Sequence, residues 1–400
     1  MSSKPTHAPP MPTTFEKPPK LPSLTGMRFI AAALVFFFHT SLAKMLNPFE
    51  DGDFAHGYSL VLSKAGWLGV CFFFVLSGFV MTWSARPGEP LGGFYRRRLL
   101  KIFPNHVVTW AIAMVLFAST MPGISVWLPN LFLLHSWIPD LDTFVSVNQP
   151  SWSLCSELLF YLLFPLLATV VRRIPAARLW WWAGAVVAGL VVAQTAIYTL
   201  VPGTPHLAEW PLSEWQWWLS YNFPPLRLFE FALGMLMARI LRTRQWIPVS
   251  PLLAAALTVA GYVAALFVPW QFGLNATTVV PLALLITSVA ARDVSGRATG
   301  LSGRKMVWLG EISFGFYLTH FLVLLGIQQV LADRRFPTPA ALLLVLGAFV
   351  LCQVAGWLLY VCVERPAMRR WGRPRRPRPR PVPLAVPKGH GAEPEPEPVG

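Results

Sequence analysis

Eight side chains able to do chemistry sit inside runs of otherwise apolar residues: Arg28, His39, Ser77, Glu157, Arg227, Glu230, Tyr317 and His320. An ionisable group in such a run is costly in lipid and is ordinarily kept for function. Arg28 and His39 share the first run, residues 24–46, with ten residues between them. On an α-helix that separation is about 16 Å, so the arginine sits near one membrane face and the imidazole deep in the span. Counted at about 1.5 Å per residue, His39, Glu157 and Glu230 each lie roughly 10 Å from the outer end of their runs, with His320 near mid-membrane. A histidine whose second nitrogen is oriented by a carboxylate is a general base, so His39 with Glu157 is the expected catalytic pair. Arg227 lies one turn from Glu230 on the same face and could serve an oxyanion, or the two could only close the bundle as an ion pair. Ser77, and Tyr317 one turn from His320, offer hydroxyls to an oxyanion or an acceptor.

These groups need elements that cross a bilayer, and the composition supplies them. Of the 400 residues, 54% are hydrophobic and only 13% charged, outside the range of ordinary soluble domains. The expected fold is all-α: a polytopic integral membrane protein of about ten helices in one bundle. The spans are 24–46, 67–84, 105–121, 152–171, 179–200, 225–242, 250–269, 273–291, 306–331 and 338–363. Of the 33 Lys and Arg residues, 28 fall in the N-terminal segment, the even-numbered loops and the C-terminal tail, and four in the odd-numbered loops; Arg227 lies within a span. That bias puts both termini in the cytoplasm, in an inner or plasma membrane.

Residues 1–22 read as a disordered N-terminal segment without a cleavable leader pattern, 23–370 as the membrane domain, and 371–400 as a disordered Pro/Arg-rich tail. The formal charge of +15 belongs to the cytoplasmic loops rather than to a nucleic-acid face. Four cysteines in apolar runs lack zinc or disulfide spacing, so neither a metal nor a bound cofactor is expected. Two long outer loops, 122–151 and 201–224, carry no Lys or Arg. The second holds Trp210, Trp215, Trp217 and Trp218, which could anchor at the headgroups or offer aromatic faces to an acceptor. Arg96, Arg97, Arg98 and Lys101 precede the third span; they could be a positive-inside anchor or a phosphate site, for which guanidinium forks are well shaped.

Several segments together are specific. Arg28, ten residues and His39; Ser77-Gly78-Phe79; Arg98 to Lys101; Trp152-Ser153-Leu154-Cys155-Ser156-Glu157 with Phe160-Tyr161; RLFEFALGMLMA; LGEISFGFYLTHF; and Glu364-Arg365-Pro366 resemble the membrane acyltransferase-3 family over about residues 21–370. Three positions depart from its pattern. Thr25 stands where the family usually has Asp, Lys101 replaces an arginine, and His106 stands where a tyrosine is common. The resemblance implies transfer of an acetyl or short acyl group from cytoplasmic acyl-CoA to a hydroxyl. The acceptors it implies are a sugar, a surface glycan such as lipopolysaccharide or exopolysaccharide, or a macrolide.

In that scheme Arg28, Arg96, Arg97, Arg98 and Lys101 take the donor, and His39 activates the acceptor or carries the acyl group. Glu157 orients the imidazole, and Ser77, Arg227, Glu230, Tyr317 and His320 are candidates for the oxyanion or acceptor. A multi-span transporter of a small molecule or lipid-linked intermediate would also place ionisable groups at mid-membrane. It should show similarity between its halves or paired broken helices, and neither stands out.

Overall fold

A long apolar run in a bilayer has no water to satisfy its peptide groups, so it folds into a helix that closes its own hydrogen bonds. The computed structural model describes residues 18–372 apart from 43–46, 86, 87, 89, 118–122, 209 and 333. The expectations for residues 1–17 and for the tail beyond 372 lie outside the described residues.

The elements follow in chain order: α1 (Pro22–Ser41), α2 (Gly52–Leu62), α3 (Ala65–Ser84), α4 (Leu91–Leu116), α5 (Ile124–Leu131), α6 (Leu141–Phe144), α7 (Trp152–Arg173) and α8 (Leu179–Leu200). After a two-stranded ribbon, β1 (His206–Leu207) and β2 (Trp210–Ser213), come α9 (Glu214–Trp217), α10 (Leu228–Arg242), α11 (Pro251–Ala264) and α12 (Trp270–Gly273). The chain closes with α13 (Val279–Val294), α14 (Arg304–Leu331), α15 (Thr338–Leu359) and α16 (Arg365–Trp371).

Among the described residues, seven stretches are long and apolar enough to cross a bilayer: Pro22–Ser41, Gly52–Ser84, Leu91–Leu116, Gln149–Arg173, Ala176–Leu200, Arg304–Leu331 and Thr338–Trp371. The remaining three expected spans coincide with α10, α11 and α13, which run only 15, 14 and 16 residues, short of the ~20 that a spanning helix needs. The chain is thus an all-α, multi-pass membrane protein.

Two boundaries differ from the sequence reading. The third span begins at Leu91 rather than at 105, so Arg96, Arg97, Arg98 and Lys101 sit on the helix itself and not in its approach. Arg and Lys are good helix formers, and Pro104 falls inside the helix without ending it. The loop after α1 contains α2, opened by Asp51, whose carboxylate accepts from the backbone N–H of Asp53 at 3.0 Å and of Phe54 at 3.1 Å.

α3 and α10 pack closely at the centre, α1 lies against both α3 and α14, and α14 against α15. The close approach depends on two glycines. A Cβ on Gly78 would meet the carbonyl oxygen of Phe231, and one on Gly234 would meet that of Val75. Small residues at a helix crossing let backbones touch, which substitutes for the hydrophobic driving force that lipid removes. Aromatic rings fill the space around this contact, with Phe160 stacked on Phe231 at 4.5 Å and Phe74 edge-on to Phe160 at 5.2 Å. Cys71, Cys155 and Cys352 are buried and Cys362 is exposed, all four as free thiols.

Candidate active site

His39 closes the last turn of α1 and is buried. Its Nδ1 lies 2.9 Å from the Val35 carbonyl oxygen and 3.1 Å from His320 Nε2. A carbonyl only accepts, so Nδ1 of His39 carries the proton. His320 Nδ1 lies 2.6 Å from the Tyr317 carbonyl and carries its proton by the same argument, which turns the Nε2 lone pair of His320 towards His39. Both tautomers are assigned by the hydrogen-bond network. His39 Nε2 is left as the lone-pair nitrogen of a residue that lines a cavity of about 200 Å³.

That cavity is aromatic and uncharged. Trp67, Trp152, Trp210, Trp217, Tyr221 and Tyr317 contribute aromatic rings to its wall, with Gln149 and Asn222 among its polar members. The four outer-loop tryptophans therefore divide: Trp210 and Trp217 line the cavity at 4.9 Å from one another, Trp215 is exposed, and Trp218 donates its indole N–H to the Ser136 carbonyl at 3.0 Å.

Arg227 and Glu230 do not line this cavity. The two pair with each other at 2.9 Å in full burial; Arg227 also donates to the Ser220 carbonyl at 2.5 Å, and Asn275 donates to Glu230 at 2.9 Å. Each charge is held by the other, since a lone buried ion would be far costlier. The pair fixes the turn at residues 218–222 that presents Tyr221 and Asn222 to the cavity, so the ion-pair reading of these two residues describes their contacts.

The expected His39–Glu157 pairing is corrected by the geometry. Ser153, Glu157 and Tyr161 follow one another at four-residue spacing on one face of α7, and Glu157 does not line the cavity that holds His39. The Glu157 carboxylate accepts from Tyr161 Oη at 3.4 Å, and Glu157 lines a cationic cavity of about 150 Å³ with Arg28, Ser77, Arg98 and Lys101. Lys101 is paired there with Glu364, which also accepts from Asn105 at 3.0 Å, so its charge is partly spent inside the protein. Arg96 and Arg97 do not line this cavity. Ser77 does, and it does not line the cavity that holds His39.

A narrow space lined by Arg28, Glu157, Ser153, Val70 and Tyr317 shares Arg28 and Glu157 with the cationic cavity. Val70 and Tyr317 also line the aromatic one. Tyr317 is fixed at this junction by Ser153 Oγ at 2.9 Å and the Pro150 carbonyl at 3.2 Å. Ser153 was not singled out from the sequence as a site residue, although it lies inside the Trp152–Glu157 segment that was.

The fold and site together define a multi-pass helical membrane protein with a buried histidine pair, one member of which lines an aromatic cavity, and with a separate cationic cavity. The chain belongs to the acyltransferase-3 family, whose acyltransferase domain matches residues 21–360. It is 41% identical over 371 residues to Acyltransferase MdmB of Streptomyces mycarofaciens, covering 90% of this chain and 94% of that one. It is 29% identical to the exopolysaccharide production protein ExoZ of Rhizobium meliloti, over 78% of this chain and 92% of that one. Against the peptidoglycan O-acetyltransferase OatA of Listeria monocytogenes it is 23% identical, and the matched region spans 84% of this chain but only 54% of OatA. No solved structure matches the chain.

Proposed function

We propose that the chain moves an acyl group, acetyl or another short chain, from cytoplasmic acyl-CoA to a hydroxyl of a carbohydrate, a surface glycan or a glycosylated natural product. One observation carries this reading. His39 lines an aromatic cavity, and a narrow space shares Val70 and Tyr317 with that cavity and Arg28 and Glu157 with a cationic one. Phosphate-bearing donors suit the cationic side, and sugars or macrocycles suit tryptophan faces. One relative is named for peptidoglycan O-acetylation and another for exopolysaccharide production, which supports a hydroxylated acceptor.

In the reaction the donor enters from the inner end and its thioester passes Glu157 and Ser153 to reach Tyr317. His39 Nε2 takes the proton of the acceptor hydroxyl as its oxygen bonds to the thioester carbonyl carbon. The tetrahedral intermediate collapses with cleavage of the C–S bond, and the imidazolium returns the proton to the departing thiolate. Ester and free CoA result. His320 Nε2 accepts the Nδ1–H of His39 throughout, and so holds the ring and shares the positive charge it gains. Tyr317 would serve the oxyanion only by turning its O–H away from the Pro150 carbonyl, which it donates to in the resting structure. An acyl-histidine formed at the same nitrogen would be the two-step form of the same chemistry.

Transfer of labelled acetyl from acetyl-CoA to extractable products in washed membranes tests the reaction, with His39→Gln as the decisive variant. Gln keeps approximate size and hydrogen bonding but not the basic nitrogen. The expected loss is about 10²- to 10⁴-fold in rate with donor binding unchanged. Transfer at the wild-type rate by His39→Gln would overturn the mechanism.

A further inference from the structure

At the inner ends of α4 and α7 lies a further cavity, of about 220 Å³, that the donor route above leaves unused. Arg98, Arg172, Ser84 and Thr169 supply polar side chains to its wall, and none of its described lining residues is a carboxylate. Arg98 also lines the cationic cavity that holds Glu157, so the two spaces share a guanidinium. The Arg172 guanidinium is steadied by Thr169 Oγ1 at 3.1 Å. Behind it, Arg239 donates to the backbone carbonyl of Arg172 at 3.2 Å, and Arg242 to that of Thr82 at 3.1 Å. These acceptors are neutral, so they satisfy hydrogen bonds without cancelling charge. A cluster of guanidiniums balanced in this way favours an anion beside it.

We propose that this cavity is the subsite for the phosphorylated ribose at the nucleotide end of the donor, with Arg172 and Arg98 binding its phosphomonoester. The assignment rests on the acyl-CoA reading above and deepens it. A phosphomonoester carries about −1.5 to −2 charges at neutral pH and three acceptor oxygens, which two guanidinium forks match better than two ammonium groups would. Glu157 and Arg172 are fifteen residues apart on α7, about 22 Å along its axis. A donor that is long and thin, with its charge at one end and its thioester at the other, spans that distance through the shared Arg98. The same phosphate chemistry is also offered by anionic lipid headgroups at this face.

The test needs no acceptor. The full chain is reconstituted in phosphatidylcholine nanodiscs, and binding of CoA and of 3′-dephospho-CoA is measured by calorimetry. The wild type should bind CoA at least about 10-fold more tightly than dephospho-CoA, the loss expected when charge-assisted hydrogen bonds are removed. Arg172→Ala should weaken CoA by that same factor and leave dephospho-CoA unchanged, bringing the ratio to about 1. Retained dephospho-CoA binding also serves as the folding control. Arg172→Lys should recover part of the discrimination. An equal effect of Arg172→Ala on both ligands, or none on either, would overturn the subsite while leaving the donor reading intact. Competition by added phosphatidylglycerol that disappears in Arg172→Ala, with discrimination retained, would assign the cavity to lipid instead. A wild type that binds neither ligand would overturn the donor reading itself.

Discussion

His320 stands where a carboxylate would be expected beside a catalytic imidazole, and the substitution changes the electrostatics. A carboxylate stabilises an imidazolium by charge, whereas a neutral ring offers only a lone pair. His39 is therefore held chiefly by geometry, between the Val35 carbonyl at 2.9 Å and His320 Nε2 at 3.1 Å. His320→Phe keeps the ring volume and removes the acceptor. The expected result is a fall in kcat of about 10- to 100-fold, the usual cost of losing an orienting partner, with KM for acyl-CoA unchanged. Steady-state kinetics on reconstituted protein checks it, and equal loss in both constants would point to a merely structural ring.

His39 stood out in the sequence as a candidate because burying an imidazole in an apolar run costs free energy that packing alone does not return. Its partner was not legible for a geometric reason. Counting residues fixes height along a helix at about 1.5 Å each, but the side chain also turns by about 100° per residue. Which neighbour it then faces depends on how the helices are arranged. Glu157 matched His39 in counted height and faces a different cavity.

At the scale of elements, the contact between α3 and α10 turns Ser77-Gly78-Phe79 from a motif into a packing requirement. Gly78 and Gly234 each give the opposing backbone room that a single methyl would occupy. Gly78→Val should force the helices apart, costing about 1–3 kcal/mol or more by overpacking. The checks are lower thermal stability in detergent and reduced membrane accumulation. Recovery by enlarging the cavity elsewhere is not expected, since the clash is with backbone. The helices themselves were legible as apolar runs. What the sequence reading missed was α2, whose N-cap Asp51 is a local signal outshone by the hydrophobic runs around it, and the early start of α4, where charged residues continue a helix beyond its apolar part.

At the scale of the whole molecule, the proposed direction of transfer depends on orientation, and that still rests on the charge asymmetry of the loops. In a background with the exposed Cys362 replaced by Ser, Asp142→Cys should react with an impermeant maleimide added to intact cells, and Gly92→Cys should not. The reverse pattern would invert the membrane and with it the route of the donor. The long loops on the proposed outer side do more than anchor, because Trp210 and Trp217 from one of them, with Gln149 and Pro150 from the other, help roof the cavity around His39.

The junction at Val70 and Tyr317 has a consequence for the cell as well as for the reaction. A protein with a cationic opening on one side and a hydroxyl-accepting hollow on the other would, if the two were one bore, short-circuit the membrane it sits in. Each proton falling through 100 mV releases about 2.3 kcal/mol, and the gradient would drain through every copy. Tyr317, clamped by Ser153 and the Pro150 carbonyl, stands between the aromatic cavity and the narrow space beside it with a side chain that carries no charge. On the proposed route a carbonyl carbon would pass this uncharged side chain while hydrated ions would meet a narrow, largely apolar space, so the residue that separates donor from acceptor would also guard the electrical insulation of the bilayer.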